Sequence, residues 1–242
     1  MTPLSPETIF HLFGFGITNT FFTTIIVDIV LLSLVFLISR NIKLYPGKLQ
    51  NIAEMLIEYL KDMVEMIADS RAKSIFPWFA SFFIFIFFSN IMGILPGFGT
   101  IGILEGAGKP LIPVLRPATS DFNTTFALAT VSLVATHVLS LKYKGIAGYL
   151  KSYFSLNPIF LFVGILEIIS ELTKLLSLSF RLFGNIFAGE VVLSNISSIA
   201  AYIVPIPFIA LETIIAFIQA FVFATLTMVF MSILTMPHLT EH

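Results

Sequence analysis

The feature that most constrains this fold is an apolar run without a single charge, FPWFASFFIFIFFSNIMGIL, at positions 76–95. About 20 apolar residues in a helix span the roughly 30 Å hydrocarbon core of a bilayer. Across the chain, 57% of the residues are hydrophobic and 11% are charged, whereas about a quarter of the residues in a soluble domain are charged. The sequence therefore predicts a helical membrane protein.

Proline, glycine and charged residues divide the rest of the chain into further apolar segments. We predict an all-α polytopic membrane protein with about five membrane-embedded helices and one amphipathic surface helix. Its phenylalanine-rich second span is expected to face lipid. The predicted order within the single membrane domain 1–242 is an external N-terminal segment (1–20), a first membrane helix (21–40), the surface helix (48–72), a second membrane helix (75–96), an external loop (97–121), a third membrane helix (122–142) and two long helices (158–199 and 205–236).

The segment between the first two membrane helices is typical of an amphipathic helix. Its apolar residues Ile52, Leu56, Leu60 and Ile67 recur at helical spacing, and its mostly acidic charged residues share an arc of about 100°. We expect this helix to lie on the membrane surface. Its acidic face would then meet water or a partner protein.

The distribution of lysine and arginine predicts the orientation of the chain. These residues are concentrated between the first and second membrane helices and between the third and fourth, whereas the loop 97–121 has only Lys109 and Arg116. Cytoplasmic connections are enriched in lysine and arginine. We therefore expect the N-terminus outside and the C-terminus in the cytoplasm.

The last two helices are too long to cross a bilayer upright. A straight helix over 158–199 would be about 63 Å long, and one over 207–236 about 45 Å long, at 1.5 Å per residue. We expect a long, steeply tilted antiparallel hairpin that turns near Pro205 and Pro207. Polar residues on such helices need cover from another protein or from water-filled cavities.

One face of the fourth membrane helix carries a polar stripe. At 100° per residue, the stripe comprises Glu167, Glu171, Lys174, Arg181 and Asn185, with Ser170 and Ser177 at its edge. Glu190 lies on the opposite face, about 13 Å further along the axis than Arg181. Arg181 and Glu190 are therefore not a local ion pair.

The hairpin register brings polar residues of both helices together. An antiparallel pairing places Glu190 beside Glu212 and Arg181 beside Gln219. Two carboxylates in a low-dielectric site cannot both ionise cheaply, so such a pair can exchange protons. Arg181 lies between the Glu190–Glu212 pair and the acidic start of the stripe. Its fixed positive charge would oppose the passage of a free cation. The pattern predicts two polar access paths separated by Arg181.

Several motifs carry a family resemblance over nearly the whole chain. The run LSFRLFGNIFAGE, with a lysine seven residues before its arginine and IQAF in the following helix, resembles subunit a of the F-type rotary ATP synthase membrane sector. Weaker matching motifs occur in the same order as in that family: NIMGILPGF, RPATSDFNTTFALA and KYKGIAGYLKSYF.

The resemblance implies a role in ion transport coupled to ATP synthesis. It implies that Arg181 faces a ring of c subunits, attracts their carboxylates and separates two offset half-channels. The other implied positions are Asn185, Glu190, Glu212 and Gln219 for ion translocation, and Glu167, Ser170, Glu171 and Lys174 for the cytoplasmic half-channel. The implied partners are c-ring proteolipids, peripheral-stalk b subunits and lipids, in a bacterial plasma membrane.

Several residues have a simpler structural interpretation. Asp121 would either line the external half-channel with Asn123 or cap the third membrane helix. Glu171 and Lys174 would either line a channel or form a local salt bridge. We expect His137 to be a packing residue rather than a ligand, and the role of Asp28 stays open.

Other site classes lack their motifs. Cysteine is absent, histidines are not clustered with acids, and the glycine-rich stretch near residue 100 follows no strand. We therefore predict no metal site, nucleotide site or cofactor, no nucleic-acid partner and no catalytic site of the chain's own.

Two other functions compete with the ATP synthase interpretation. A self-contained secondary ion transporter also carries charges near the membrane midplane, but such folds have repeated halves with interrupted helices, and this sequence has neither. A structural scaffold would use its charges only to hold partners together. Co-isolation with a ring of small proteolipids distinguishes these alternatives.

Overall fold

The computed structural model describes residues 6–12, 15–40, 42–95, 102–104, 111–153, 158–199 and 203–236. Long helices account for most of this part of the chain, which confirms the all-α fold class. Their bounds are α1 Asn19–Arg40, α2 Lys48–Ala68, α3 Ala72–Ile94, α4 Phe122–Tyr153, α5 Pro158–Ile199 and α6 Pro205–Thr235.

Two short antiparallel ribbons, which the sequence did not predict, adjoin the start of α1. Thr8–Leu12 pairs with Phe15–Thr18, and Gly102–Leu104 pairs with Leu111–Pro113. Asn19 joins them, because its backbone N–H donates to Glu7 (3.0 Å) and its side-chain amide donates to the carbonyl of Pro113 (3.2 Å). Short 3₁₀ turns, Asp69–Arg71 and Ala118–Ser120, precede α3 and α4.

Among the described residues, four helical segments are long and apolar enough to cross a membrane. They are Asn19–Arg40, Lys48–Ile94, Phe122–Ile146 and Pro205–Thr235. The second of these joins the amphipathic α2 to the apolar α3. The remaining long helix is α5, with 42 residues, and it carries the charged stripe. The prediction of a polytopic membrane protein is confirmed.

The core lies between α3 and α6, with α4 packed against α6 and α5 packed against α4. Phe79, Phe82 and Phe83 of α3 are buried, and the Phe82 ring lies 5.6 Å from that of Phe223. The expectation that this phenylalanine-rich helix faces lipid was therefore wrong for these side chains. Because α3 is apolar on every side, its sequence has no helical periodicity that distinguishes a lipid-facing residue from a core residue.

The amphipathic α2 packs one edge against α3 and leaves apolar side chains exposed. Leu60 and Val64 are buried against the core, whereas Ile52 and Tyr59 are exposed. At the end of α2, Arg71 donates from Nη1 to the carbonyl of Ser232 in α6 (2.9 Å). The helix is therefore anchored at its C-terminal end, and its exposed apolar face is available to a membrane surface.

The first part of α4 ends at Gly145, close to residue 142, where the sequence predicted the end of the third membrane helix. Gly145 has φ 71° and ψ 166°, which are not helical angles, and a second helix follows it directly to Tyr153. A glycine tolerates this backbone conformation because it has no Cβ. The segment after the break turns back on α5: a Cβ added to Gly164 would overlap the carbonyl group of Tyr153. This return positions two tyrosines beside α5.

Candidate functional site

Arg181 lies in the middle of α5 with its side chain exposed on the surface of the chain. Its guanidinium donates to the hydroxyl of Ser177, one turn earlier, at 3.3 Å. Within the described part of the chain, no carboxylate forms an ion pair with Arg181. This permanent charge therefore points outward from a largely apolar helix, without an acidic partner among those residues.

Gln219 of α6 bonds to Asn185 rather than to the arginine. The side-chain amide of Asn185 donates to Oε1 of Gln219 at 2.6 Å, and Gln219 is buried. Asn185 follows Arg181 by one helical turn on the same stripe. The hairpin thus brings the side-chain amide of Gln219 into the polar stripe of α5. It contacts Asn185, one helical turn from Arg181, the residue with which the sequence register paired it.

Glu212 of α6 is buried against the α5 backbone, with 8% of its surface exposed. A Cβ added to Gly189 would lie 2.6 Å from its Oε1, so the carboxylate occupies the space that the glycine leaves open. Its Oε2 has no hydrogen-bond partner among the described residues. Glu190, the next residue of α5, is its charged neighbour. The two predicted carboxylates therefore do belong to one polar site.

Arg116 completes this site, and the sequence analysis missed it. Its Nε lies 3.1 Å from Oε1 and 3.3 Å from Oε2 of Glu190, and it also donates to the hydroxyl of Ser120 (3.1 Å). Only 2% of its surface is exposed, although the sequence analysis assigned it to the external loop 97–121. In the sequence, Arg116 stands directly before Pro117 at the start of the RPATSDFNTTFALA motif. That position does not indicate which residue it pairs with.

Asp121 caps α4, as one of the two sequence interpretations predicted. Its Oδ1 accepts from the backbone N–H of Asn123 (3.0 Å), and its Oδ2 accepts from the hydroxyl of Thr20 (3.3 Å). Asp121 is buried, whereas the Asn123 side chain is exposed. The carboxylate thereby joins the starts of α1 and α4 near the Glu190 site.

The start of the polar stripe on α5 borders a small cavity between α4, α5 and α6. This cavity of about 50 Å³ is lined by Glu167, Glu171 and Lys174, together with Ser132, Thr136 and Phe230. A space of this size is large enough for a water molecule, and the polar side chains on its wall can bind it. Ser170 is exposed and is not among the lining residues. The structure therefore gathers three of the four predicted residues.

Glu171 does not form the local salt bridge with Lys174 that the sequence left open. Its Oε2 lies 3.1 Å from Nε2 of His137, and its Oε1 accepts from the hydroxyl of Tyr153 at 2.5 Å. The Lys174 ammonium instead lies 4.8 Å from the centroid of the Phe230 ring. A cation over an aromatic face is stabilised by the ring quadrupole.

His137 therefore does more than pack, contrary to the sequence expectation. Besides Glu171, it contacts Tyr149, whose hydroxyl lies 3.0 Å from Nδ1. This contact was not predictable, because His137 and Glu171 lie on different helices and no periodicity relates them. His11, His238 and His242 fall outside the side chains that the structure describes, and within the described residues no group of acids and histidines has the arrangement of a metal site.

Comparison with known proteins finds the same similarity along most of the chain. Residues 20–232 match the family model described as ATP synthase A chain. The chain is 32% identical over 232 residues to ATP synthase subunit a of Moorella thermoacetica, covering 96% of this chain and 97% of that one. It is 36% identical over 213 residues to ATP synthase subunit a 3 of Pelobacter propionicus (86% and 83% covered) and 34% identical over 211 residues to the Trichlorobacter lovleyi subunit (86% and 82%).

Proposed function

This chain belongs to the ATP synthase A chain family, and we propose that it is the stationary ion-translocating subunit of the membrane sector, with two half-channels separated by Arg181. Its membership makes it part of the ATP synthase complex. The finer assignment is supported by the placement of charged residues along the α5–α6 hairpin.

The observation that carries the proposal is the exposed guanidinium of Arg181. An arginine at the centre of a membrane helix costs at least about 2.5 kcal/mol, and more without a polar partner. Because no described carboxylate pairs with Arg181, the opposing charge would come from outside the chain. A ring of c subunits, each with a membrane-buried carboxylate, supplies such a charge. Arg181 would attract each ionised carboxylate in turn and repel a free cation.

The external half-channel would begin at the site of Glu190 and Glu212. These carboxylates lie on the two helices of the hairpin, with Arg116 fixing one of them and Asp121 nearby on the α4 cap. Glu190 is nine residues beyond Arg181, or about 13 Å along the helix axis. An ion taken up at this end would reach the ring on one side of the arginine.

The cytoplasmic half-channel would begin at the cavity that Glu167, Glu171 and Lys174 line. Lys174 precedes Arg181 by seven residues, or about 10 Å along the axis. The two polar sites therefore lie on either side of Arg181 along α5. Because of this offset, an ion would have to bind to a c subunit and move with the rotating ring to pass from one site to the other.

The proposal includes an orientation and partners. From the lysine and arginine distribution we infer that the N-terminus lies outside and the C-terminus in the cytoplasm, and the membrane would be a bacterial plasma membrane. A helix of 42 residues must be steeply tilted to stay within the bilayer. Peripheral-stalk b subunits and lipids would cover the remaining apolar faces, and partner subunits would carry out the ATP chemistry.

The test is Arg181→Ala in the assembled complex, with Arg40→Ala at the end of α1 as the matched control. We expect ion-driven ATP synthesis in vesicles to fall to background in Arg181→Ala and to stay at the parental rate in Arg40→Ala. Both complexes should co-isolate with small proteolipids, because Arg181 has little contact within its own chain. Parental synthesis rates in Arg181→Ala would contradict the proposal.

The alternative of a self-contained secondary transporter has a direct test as well. The purified chain, reconstituted without any partner, should not catalyse ion exchange between vesicle interior and medium. Exchange at rates comparable with those of the assembled complex would favour the alternative.

A further inference from the structure

Four side chains form a hydrogen-bonded cluster beside the cavity that Glu171 lines: His137, Tyr149 and Tyr153 of α4 and Glu171 of α5. We name these four residues the His137 cluster. Both carboxylate oxygens of Glu171 are engaged, Oε2 by the imidazole (3.1 Å) and Oε1 by the Tyr153 hydroxyl (2.5 Å). The second ring nitrogen of His137 faces the Tyr149 hydroxyl (3.0 Å). The break at Gly145 is what returns these tyrosines to α5.

Tyr149 and Tyr153 follow Gly145 and lie beyond the apolar segment that ends at Ile146. Burial, followed by the hydrogen bond to Glu171, raises the pKa of the Tyr153 phenol above its ordinary range. Burial likewise raises the pKa of Tyr149. Both phenols therefore keep their protons at neutral pH, and Tyr153 serves as a fixed donor to Glu171.

The contacts of His137 allow the ring to take up one proton without breaking the cluster. With Tyr149 donating to Nδ1, the neutral ring donates from Nε2 to Glu171. When a proton binds at Nδ1, the ring becomes an imidazolium and the Tyr149 hydroxyl rotates to accept from it. Nε2 keeps its hydrogen bond to the carboxylate of Glu171 in both states of the ring. Imidazole is the side chain whose ordinary charge change lies nearest neutral pH.

We propose that His137 and Glu171 form a proton-holding pair at the cytoplasmic end of the ion path, and hence that this site takes a proton rather than a metal cation. This inference rests on the proposed function and adds His137 to the residues of that half-channel. In it, water on the cytoplasmic side gives a proton to Nδ1, while the Nε2–H bond that faces Glu171 is kept. The ring returns to its neutral form when the same Nδ1–H bond breaks and the proton passes back to water, so one proton is bound and one is released in each cycle.

The same contacts disfavour a metal cation at this site. A cation such as Na⁺ is held by several oxygen lone pairs, as hard cations are in general. Here both oxygens of Glu171 already accept hydrogen bonds from donors, and the ammonium of Lys174 lines the same cavity. A sodium ion would have to displace these donors and approach a positive charge.

The charged and titratable neighbours of the pair come from two helices. On α5 they are Glu167 and Lys174, and on α4 they are the two tyrosines and Lys144, whose charged neighbour is Glu167. From α6, the cavity is lined by Phe230, Ile233 and Leu234, which do not titrate. The charge state of the pair is therefore set mainly by the α4–α5 contact.

The experiment measures ATP-driven uptake of protons and, in parallel, of sodium by vesicles that contain the complete complex. In His137→Gln the amide keeps hydrogen-bonding capacity but cannot hold an extra proton. We expect proton uptake to fall about a hundredfold, the lower end of the effect of a positioned proton-transfer group. Imidazole added on the cytoplasmic side should partly restore uptake in His137→Ala. The matched control is Tyr143→Phe, on the same helix as His137. It removes the hydrogen bond that the Tyr143 hydroxyl donates to Ser74 of α3.

A second variant keeps the test decisive if the His137 substitutions impair assembly. Tyr149→Phe leaves the ring in place but removes the hydroxyl that bonds to Nδ1 in both states of the ring. Because the hydrogen bond from the charged donor is the stronger of the two, the pH profile of uptake should move to lower pH. Unchanged rates and pH profiles in these variants, or sodium uptake by the parental complex, would overturn the inference while leaving the proposed function intact. A parental complex that moves neither ion would instead overturn the proposed function.

Discussion

The guanidinium of Arg116 and the carboxylate of Glu190 lie 3.1 Å apart and form an ion pair between residues 74 positions apart in sequence. The arginine is almost fully buried, and the carboxylate retains 19% exposure. The pair holds the segment before α4 against the hairpin. It also fixes the orientation of one of the two carboxylates of the Glu190–Glu212 site, so we expect its loss to affect both folding and ion uptake.

Arg116→Ala is expected to destabilise the chain. Breaking a buried ion pair by removing one partner costs about 3–5 kcal/mol, because the other charge stays buried without compensation. We expect the lower end of this range, about 3 kcal/mol, since Glu190 retains some access to solvent. The free energy of unfolding of the purified chain in detergent measures this effect.

A double-mutant cycle provides the control for Arg116. The variant that combines Arg116→Met with Glu190→Gln removes both charges at similar side-chain length. We expect it to lose less stability than the sum of the single substitutions, because neither charge is left unpaired. Strictly additive losses would show that the two side chains do not interact.

The helices and the hairpin were predictable because their signals are local. The lengths of the apolar runs predicted α1 and α6. Pro158 and Pro205 predicted the residues at which α5 and α6 begin. The stripe on α5 followed from helical periodicity alone, and the structure gathers Glu167, Glu171 and Lys174 at one cavity. These features depend on neighbours within a few turns of the same helix.

The contacts between distant elements were not predictable. The path of a loop has no periodicity, so nothing in the sequence pairs Arg116 with Glu190. The break at Gly145 depends on one φ angle, and the contact of His137 with Glu171 depends on that break together with the packing of α4 on α5. A uniformly apolar helix likewise does not reveal which phenylalanines meet lipid.

Gly189→Ala should reduce ion transport by displacing the Glu212 carboxylate. The added Cβ would lie 2.6 Å from Oε1 and 3.0 Å from the carboxyl carbon. Because these atoms are at the end of a flexible side chain, we expect the carboxylate to move and the fold to persist. ATP-driven ion uptake in vesicles should fall about tenfold, the effect of about 1.4 kcal/mol on the barrier.

A compensating substitution distinguishes this steric effect from other causes. Glu212→Asp shortens the side chain by one methylene and withdraws the carboxyl group from the added Cβ. We expect Gly189→Ala combined with Glu212→Asp to transport ions faster than Gly189→Ala alone. If the second substitution slows transport further, the contact between residues 189 and 212 does not explain the defect.

Asp121 is expected to act through its cap on α4 rather than through ionisation. Asp121→Ala removes the acceptor for the Asn123 backbone N–H and should lower the free energy of unfolding by about 0.5–2 kcal/mol. Asp121→Asn keeps an acceptor that caps equally well, so it should retain both stability and ion uptake. Asn123→Ala is the matched control for stability, since the capped donor belongs to the backbone, and its effect should stay within about 0.5 kcal/mol.

The outcome for Asp121→Asn decides between the two roles of this carboxylate. A cap needs only an oxygen acceptor, whereas a proton path needs a group that ionises. Parental stability combined with slow ion uptake from the external side would therefore assign Asp121 to the path. Parental values of both quantities would confine it to joining the start of α4 to Thr20 of α1.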